Sequence, residues 1–272
     1  MPEPALKQSV HAFWDAESCG ESYAWVDGGV DLAEQERQRF ALEPYLPKFA
    51  RFADGAGKDV LEIGVGMGAD HLMWGRSGPK SLSGIDLTER AVEFTRVRIA
   101  EEGLASDIRV ADAEALPFAD NAFDLVYSWG VMHHSPDTQA CFAEACRVLR
   151  PGGDARIMIY HTWSLVGLML WARYGLLAGR PFRSLANIYA QHLESPGTKA
   201  YSPAAAVEML KAAGFRVASA RVQLSHGDLL DGNVGARHQG PLLRLAKRLW
   251  PRTLLRIVAA NCGLYLLLEA RK

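Results

Sequence analysis

The sequence predicts an α/β fold, in which a doubly wound and mostly parallel sheet of seven strands carries an N-terminal helical lid and an apolar insertion after the fifth strand. Short apolar runs alternate with helix-length segments between residues 58 and 160, which is typical of βαβ units. Glycine and proline residues mark the boundaries of these segments. Two more strand-like runs follow the insertion, and they fit the tail of one sheet better than a second domain.

Seven segments have the length and apolar character of strands. The first ends in a glycine turn, and the fifth follows a cluster of helix-breaking residues at 150–153. In chain order the predicted strands cover residues 58–63, 81–86, 108–110, 123–127, 154–160, 216–222 and 263–270.

Helices are predicted between these strands from their caps and their periodicity. Thr88 is a suitable N-cap for a helix over 89–102, which a glycine then ends. The helix after Asp137 has one apolar face and is expected to stop at 150–153. A third helix begins with a serine–proline pair and covers 202–214.

Composition and charge exclude several classes of protein. The chain has 272 residues, of which 49% are apolar, so it can bury a normal core and is not a disordered chain. Its formal net charge is -1, so no global basic field favours nucleic acid as a partner. The four cysteines are scattered without zinc spacing, and residues 1–20 do not resemble a signal peptide. We therefore expect a cytoplasmic, reducing environment.

A glycine loop follows the first predicted strand. Gly64, Gly66 and Gly68 precede a helix, so backbone N–H groups can approach a ligand without a Cβ clash. Asp86 ends the next strand, where a carboxylate can accept hydrogen bonds from two ribose hydroxyls. With Ala69 the loop also fits the dinucleotide pattern, so an NAD(P)-dependent oxidoreductase that uses the loop and Asp86 stays open as an alternative.

A second acidic position discriminates between these readings. Asp112 and Ala113 end the third strand, where the carboxylate can accept from an exocyclic adenine amine and the backbone N–H can donate to a ring nitrogen. A nicotinamide enzyme has no particular need for an acid at this position. Asp124, at the entry of the fourth strand, is interpreted as structural.

Four stretches together resemble a known family. They read LEIGVGMGAD, SGIDLT, VADAEALPFADNAFDLVYS and CRVLRPGG. In order and spacing they are similar to the successive motifs of class I S-adenosylmethionine-dependent methyltransferases, closely over residues 58–160 and loosely elsewhere. The chain looks most similar to the small-molecule branch (methyltransferase type 11-like), which contains quinone and sterol C-methyltransferases. The resemblance implies a Rossmann-like fold, S-adenosylmethionine as cofactor and a transferase of class EC 2.1.1.

The resemblance also implies roles for particular residues. The positions that match the family's cofactor motifs are Glu62, Gly64, Gly66, Gly68, Asp86, Leu87, Asp112, Ala113, Ser128 and Trp129. Glu62 and the three glycines would hold the methionine moiety. Asp86 would contact the ribose, and Leu87 would lie against the adenine. Asp112 and Ala113 would bind the adenine edge, and Ser128 and Trp129 would line the methionine end near the sulfonium.

Two units follow from these assignments. Residues 1–55 form an N-terminal helical lid, in which aromatic residues cluster before the sheet begins, although simple packing of this segment on the core is equally open. Residues 56–272 form the S-adenosylmethionine-binding α/β domain, which includes an acceptor-side insertion at 161–200.

Candidate catalytic residues follow the fourth and fifth strands, at the edge where ligands bind in open α/β sheets. His133 and His161 are candidates to contact the acceptor or the cofactor, whereas adjacent His134 is expected to face away or to be satisfied locally. Methyl transfer needs a general base only when the acceptor starts protonated. No metal is predicted, because these histidines lack a spaced set of carboxylate partners. Glu194, Thr198, Lys199 and the turn 226–228 are weaker candidates.

The insertion and the C-terminal part indicate which kind of acceptor or surface this protein contacts. The insertion is unusually apolar, which favours a small, partly hydrophobic metabolite or an interfacial surface. No acidic residue occurs from 232 to 268, and residues 242–250 have the pattern of a basic amphipathic helix. Segments 161–180 and 242–256 could therefore rest on the inner face of an anionic membrane, with a solvated helix face as the alternative. The acceptor atom and the oligomeric state are not readable from the sequence.

Overall fold

A computed structural model describes residues 3–26, 29–231 and 247–272. Its strands are β1 (Trp25–Val26), β2 (Gly29–Val30), β3 (Asp59–Ile63), β4 (Ser81–Asp86), β5 (Asp107–Val110), β6 (Phe123–Trp129), β7 (Leu149–Tyr160), β8 (Arg216–Gln223) and β9 (Tyr265–Arg271). The first two pair as a short antiparallel hairpin. The other seven form one sheet in the order β5-β4-β3-β6-β7-β9-β8.

Helices connect these strands and cover both faces of the sheet. In the described part of the chain they are α1 (Glu3–Ala16), α2 (Leu32–Leu42), α3 (Leu46–Ala50), α4 (Ala69–Arg76), α5 (Glu89–Glu101), α6 (Thr138–Val148), α7 (Leu165–Trp171), α8 (Leu185–His192), α9 (Pro203–Ala212) and α10 (Arg252–Val258). A π-helical turn over 172–176 continues α7.

The sheet has the predicted doubly wound character. Strands β3 to β7 pair in parallel, whereas β9 runs antiparallel to both of its neighbours, β7 and β8. The predicted fold class, a mostly parallel sheet of seven strands, is therefore confirmed. Parallel pairing brings the carboxyl ends of β3, β4, β6 and β7 to one edge, which is where open α/β sheets bind ligands.

The core lies in layers on the two faces of the sheet. Successive residues of β6 alternate between them, because side chains in a strand point to opposite faces. Leu125 and Tyr127 belong to the layer that contains Trp74, while Val126 packs with Phe142 in the other layer. All of these side chains are buried. This packing fixes the strand ends that form the edge.

The helix starts follow their capping residues. Thr88 accepts a hydrogen bond from the N–H of Ala91, and Ser202 accepts one from Ala205, so both predicted N-caps are confirmed. Helix α5 ends one residue before its predicted boundary of Glu102.

Helix α6 stops at the breaker cluster at 150–153 as predicted, with its last residue at Val148. Strand β7 begins earlier than its predicted start at residue 154, because this cluster forms the first part of the strand. Gly152 donates to the carbonyl of Lys272 at 2.9 Å, and the N–H of Lys272 donates to Gly153 at 3.0 Å. These partners satisfy the backbone there, so the segment extends the strand.

The two chain segments outside the sheet match their predictions in part. The predicted helical unit at 1–55 contains α1 to α3 but also the β1–β2 hairpin. Most of the predicted basic helix at 242–250 lies outside the described residues. The next helix along the chain, α10, carries Arg252 and Arg256. Among the described helices, none combines the length and the apolar character needed to cross a bilayer.

Candidate active site

A cavity opens at the carboxyl edge of the sheet, beneath α1. One side consists of residues 62–69, 85–88 and 111–113, which we term the loop wall. The side nearer β6, β7 and β9 consists of Trp129, His134, Tyr160, Glu194 and Tyr265, which we term the aromatic wall. Lys7, Val10 and Trp14 of α1 complete the lining.

The glycine turn of the loop wall is shaped by backbone conformation. Gly64, Gly66 and Gly68 all have positive φ, at 84°, 52° and 80°. A Cβ at Gly64 would lie 2.1 Å from Cγ2 of Val131, so only glycine fits there. A Cβ at Gly68 would lie 2.8 Å from Oγ1 of Thr95. The N–H groups of Gly64, Gly66 and Gly68 are already bound, to the carbonyl of Ile85, to Asp86 and to the carbonyl of Val65, so these glycines shape the turn by their conformation.

Asp86 is held between the two loops of this wall. Its Oδ2 accepts a hydrogen bond from the N–H of Gly66 at 3.1 Å, and its Oδ1 accepts from the N–H and the hydroxyl of Thr88, each at 3.0 Å. Burial raises the pKa of Asp86, and the hydrogen bonds from Thr88 and Gly66 oppose that shift. Because each carboxylate oxygen has two acceptor sites, Oδ2 keeps one for a ligand hydroxyl, and a second becomes free on Oδ1 when the hydroxyl of Thr88 rotates away.

Glu62 lies at the end of β3 beside a buried histidine. Its Oε2 is 2.9 Å from Nδ1 of His71, whose Nε2 is 2.8 Å from the hydroxyl of Ser106. Burial raises the pKa of Glu62 well above its usual value, and nearby Asp70 adds to this effect. Burial also lowers the pKa of His71 to about 3, so that ring is neutral. Glu62 lines the cavity and can meet a cationic group there.

Arg39 of α2 ties the N-terminal unit to this site. Its guanidinium donates to Asp70 at 3.1 Å and 2.8 Å and also binds Glu43. Tyr127 donates to the same Asp70 carboxylate at 2.7 Å. The sequence analysis missed Arg39 and Glu43, because their partners lie on other elements and a charged helix carries no local signal for such contacts.

Asp112 already has a cationic partner from α1. Lys7 binds Asp112 at 2.6 Å and also binds Glu114, while Asp112 accepts the N–H of Glu114 at 2.9 Å. Asp112 and Ala113 line the cavity as predicted. Lys7 was missed by the sequence analysis, since a single lysine on an amphipathic helix is indistinguishable from a solvated one.

The predicted pair at the end of β6 divides between two roles. Trp129 lines the cavity, and its ring packs against Tyr265 at 5.6 Å between centroids. Ser128 is fully buried and donates its hydroxyl to the carbonyl of Ile63 at 2.9 Å. Ser128 is not among the residues that line the cavity, and its hydrogen bond joins β6 to β3. Leu87 is on the loop wall, as predicted.

The histidines are placed differently from the prediction. The candidates His133 and His161 are not among the lining residues, whereas His134, which was not a candidate, lines the cavity. His133 is fully buried behind Tyr160, with ring centroids 3.9 Å apart. His161 is buried, and its Nδ1 lies 3.0 Å from the carbonyl of Gly263. The strand ends turn both rings toward the core, so neither ring forms part of the cavity lining.

His134 belongs to a polar network of the aromatic wall. Its Nδ1 lies 2.8 Å from the hydroxyl of Ser195 and 3.1 Å from that of Thr198. Its Nε2 lies 3.2 Å from Oε2 of Glu194, which accepts the hydroxyl of Tyr160 at 2.7 Å. Burial raises the pKa of Glu194, but contact with His134 outweighs it, and the net shift is downward. Glu194 is therefore a carboxylate at neutral pH that faces the cavity.

The other weak candidates have mixed placements. Lys199 lies away from the described lining and donates to the carbonyl of Pro136 at 2.9 Å. Asp228 is fully buried and accepts backbone N–H groups from Ser225, Val166 and Leu264. The turn 226–228 is thus structural at Asp228, while His226 lines the cavity.

The fold and this edge define an α/β domain built to bind a nucleotide-type cofactor, with a glycine turn and an acid at the next strand end. Residues 61–157 match the methyltransferase domain family. The chain is 35% identical over 136 residues to methyltransferase GfsG of Streptomyces halstedii, a stretch that covers 49% of this chain and 48% of that protein. It is 29% identical over 177 residues to the ubiquinone/menaquinone C-methyltransferase UbiE of Desulfotalea psychrophila, covering 61% and 69%.

Solved structures agree with the fold. An S-adenosylmethionine-dependent methyltransferase from Mesorhizobium loti has a TM-score of 0.59 at 17% identity, covering 84% of this chain and 97% of that one. The cyclase SpnF has a TM-score of 0.55 at 19% identity, covering 99% and 92%. At these identities the likeness concerns the fold alone.

The chain therefore contains a class I S-adenosylmethionine-dependent methyltransferase domain. The predicted resemblance and its cofactor are confirmed by the family match and the named relatives, which do not favour the oxidoreductase alternative. The chain spans about half the length of the first curated relatives that it matches.

Proposed function

We propose that this protein transfers the methyl group of S-adenosylmethionine to a small, partly hydrophobic metabolite. The observation that carries the proposal is one cavity in which the glycine turn and Asp86 share a space with the aromatic wall. A cofactor held by the glycine turn and Asp86 would point its reactive group toward an acceptor held by the aromatic wall. Holding both in line supplies most of what such a displacement needs, worth about 7–11 kcal/mol in well-oriented reactions.

The loop wall is proposed as the cofactor site, residue by residue. Asp86 would bind the ribose hydroxyls, with Leu87 against the adenine ring. Asp112 and Ala113 would bind the adenine edge, and the adenine would replace Lys7 as the partner of Asp112. Glu62 and the turn formed by Gly64, Gly66 and Gly68 would hold the methionine moiety, with Trp129 at the sulfonium end.

The aromatic wall is proposed as the acceptor site. Tyr160 and Tyr265 stack with ring centroids 6.0 Å apart, and Met158 adds apolar surface beside them. These side chains suit the apolar part of a metabolite. Glu194 adds a carboxylate that can orient a hydroxyl or an amine by accepting its proton in a hydrogen bond.

The N-terminal unit at 1–55 is proposed as the lid of this site. Val10 on the inner face of α1 is buried, and the ring of Trp14 packs edge-on against His134 with centroids 5.1 Å apart. With Lys7 on Asp112, α1 contacts both walls of the cavity. A lid in this place would exclude water during transfer.

The cofactor assignment is tested with Asp86→Ala. Loss of two charge-assisted hydrogen bonds should weaken binding of S-adenosylmethionine by at least about 100-fold in isothermal titration calorimetry. Asp107→Ala, which removes an exposed carboxylate at the opposite end of β5, is the matched control and should bind normally. Binding by Asp86→Ala within threefold of the wild type would reject the ribose assignment.

We also propose that the protein contacts the inner face of an anionic membrane through segments 161–180 and 242–256. Twelve large apolar side chains are exposed in the described chain; six of them fall in these two segments, and Phe182, Ile257 and Val258 lie within two residues of the segment ends. The two segments meet at Asp228, which accepts from Val166 by its carboxylate and from the indole of Trp250 by its carbonyl. Basic Arg252 and Arg256 flank the apolar side chains of α10.

Vesicle co-sedimentation tests this contact. The wild type should bind vesicles with anionic lipid at low salt and lose binding as salt screens the charges. Ile257→Asp in α10 should reduce binding, since its side chain is 74% exposed. Val97→Asp in α5 is the control, at 50% exposure on another face. Equal binding by both variants would reject this surface.

A further inference from the structure

His133 presents an unusual combination of burial and unmet polarity. Its side chain is fully buried, and neither ring nitrogen has a hydrogen-bond partner within the part of the chain that the structure describes. A buried polar atom without a partner costs about 1–3 kcal/mol. Such groups in native structures call for an explanation, for example an ion that the side chain binds.

Two further donor groups lie next to this ring. One nitrogen each of His133 and His134 and one carboxylate oxygen of Glu194 all lie within 4.8 Å of one another. One pair, Nε2 of His134 and Oε2 of Glu194, is 3.2 Å apart. Bond lengths of about 2.0–2.2 Å place two ligand atoms of a tetrahedral zinc site just over 3 Å apart, so this pair already has a suitable spacing.

We propose that His133, His134 and Glu194 bind a divalent transition-metal ion, with Zn²⁺ as the reference ion. Two imidazoles and one carboxylate are a ligand set that catalytic zinc sites use with one position left open. Imidazole also suits copper, nickel and iron, whereas magnesium and calcium prefer oxygen ligands throughout.

The surroundings support the ligand roles. The Nδ1 of His134 contacts the hydroxyls of Ser195 and Thr198, and such outer partners fix the orientation of a ligating imidazole. The hydroxyl of Tyr160 donates to Glu194 and holds its carboxylate in place.

The site would lie at the boundary between the core and the cavity. His134 and Glu194 line the cavity, whereas His133 lies behind them, so the open position of the ion would face the acceptor. The sequence prediction of no metal site rested on a missing carboxylate partner, and Glu194, from the loop after α8, supplies it. The proposal concerns metal binding, and it does not depend on the methyl transfer proposed above.

Equilibrium dialysis tests the proposal directly. Protein freed of metal with a chelator is dialysed against zinc chloride, and bound zinc is measured by mass spectrometry. The wild type should bind one equivalent. Glu194→Gln keeps the size of the side chain and should weaken binding by more than about 100-fold, and Tyr160→Phe, which removes only the outer hydrogen bond, by about 10-fold or more.

Controls separate this site from adventitious surface binding and from misfolding. Glu208→Gln and His11→Ala remove comparable groups outside the cluster and should keep full uptake. Zinc should raise the Tm of the wild type but not that of Glu194→Gln, because an ion stabilises only a fold that binds it. A visible d–d spectrum with Co²⁺ would support tetrahedral ligation.

The proposal is overturned by either of two results. One is a wild type that takes up no zinc under these conditions. The other is zinc uptake that is equal in the wild type and in folded Glu194→Gln. In both cases the cluster would be a hydrogen-bonded network of the cavity wall without a metal.

Discussion

The loop wall and the aromatic wall form one cavity, but the chain builds them in opposite ways. Each part of the loop wall comes from the turn directly after one strand, over residues 62–69, 85–88 and 111–113. The aromatic wall gathers single side chains from distant places, such as Trp129 of β6, Glu194 after α8 and Tyr265 of β9. Local geometry therefore shapes the first wall, and long-range packing shapes the second.

The difference teaches where each wall is vulnerable. A turn with positive φ angles fails when one residue gains a side chain, whatever the rest of the molecule does. A wall assembled from several elements depends on contacts such as the hydrogen bond of 2.5 Å from Tyr265 to Glu43. Its residues should thus respond to changes in packing more than to backbone strain.

The largest expected effect is in the loop wall. Gly64→Ala should lower the free energy of unfolding by about 2–6 kcal/mol, because it combines a strained φ with a clash against Val131. Urea unfolding measures the change. Adding Val131→Ala should recover the steric part and leave the part that φ strain causes. A loss below about 1 kcal/mol would show that the turn is not locally constrained.

Gly167, a glycine near the aromatic wall, should show a smaller loss of unfolding free energy on substitution, and that loss should be caused by steric clash alone. A Cβ at Gly167 would lie 1.9 Å from the hydroxyl oxygen of Tyr189, but its backbone is an ordinary helix. Gly167→Ala should cost about 1–3 kcal/mol by urea unfolding. In the background of Tyr189→Phe, which lacks that oxygen, the cost should fall by more than half. An unchanged cost would contradict the steric explanation.

The third prediction concerns the pH dependence of folding stability, to which Glu62 of the loop wall should contribute. Because the pKa of Glu62 is raised in the fold, the folded protein binds more protons than the unfolded chain above about pH 4.5. Stability of the cofactor-free protein should then fall as pH rises above this value, with a slope of up to about 1.4 kcal/mol per pH unit from this group.

Glu62→Gln should remove that contribution, and the two unfolding curves should therefore diverge as pH rises. His71 acts with the opposite sign, since its lowered pKa makes the fold less stable below about pH 6.5. Measurements from pH 6.5 to 8 isolate the carboxyl group. Parallel curves for the two proteins in this range would mean that Glu62 is already ionised in the folded state.

The smallest expected effect concerns the proposed lid. Lys7 and Asp112 are each about one-third exposed, and ion pairs of this kind contribute about 0–1 kcal/mol. Lys7→Met should speed dissociation of S-adenosylmethionine by about threefold in stopped-flow measurements. Lys211→Met, which removes a lysine from the exposed side of α9, should leave the rate unchanged. A slower dissociation from Lys7→Met would contradict a closing role for α1.

The loop wall could be predicted almost entirely from the sequence. Gly64, Gly66, Gly68 and Asp86 carry their conformational and hydrogen-bonding requirements in their own residue types and spacing. Ser128 is the exception, because a hydroxyl at a strand end can turn into the sheet, as it does toward Ile63.

The aromatic wall could be predicted only in outline. The sequence indicated histidines at the edge, but His133 and His134 are adjacent, and only tertiary packing decides which of the two rings lines the cavity. Arg39, Glu43 and Tyr265 could not be found at all. Each contributes through a partner on another element, and no local pattern encodes such a pairing.

The position of β9 has a consequence for the order of folding. This strand lies between β7 and β8, both of which precede it in the chain. During synthesis β8 has no sheet partner until residues 265–271 leave the ribosome, so the edge of β7 stays open meanwhile. Tyr265, at the start of β9, completes the aromatic wall. The aromatic wall is therefore complete only once β9 has entered the sheet between two strands that precede it in the chain.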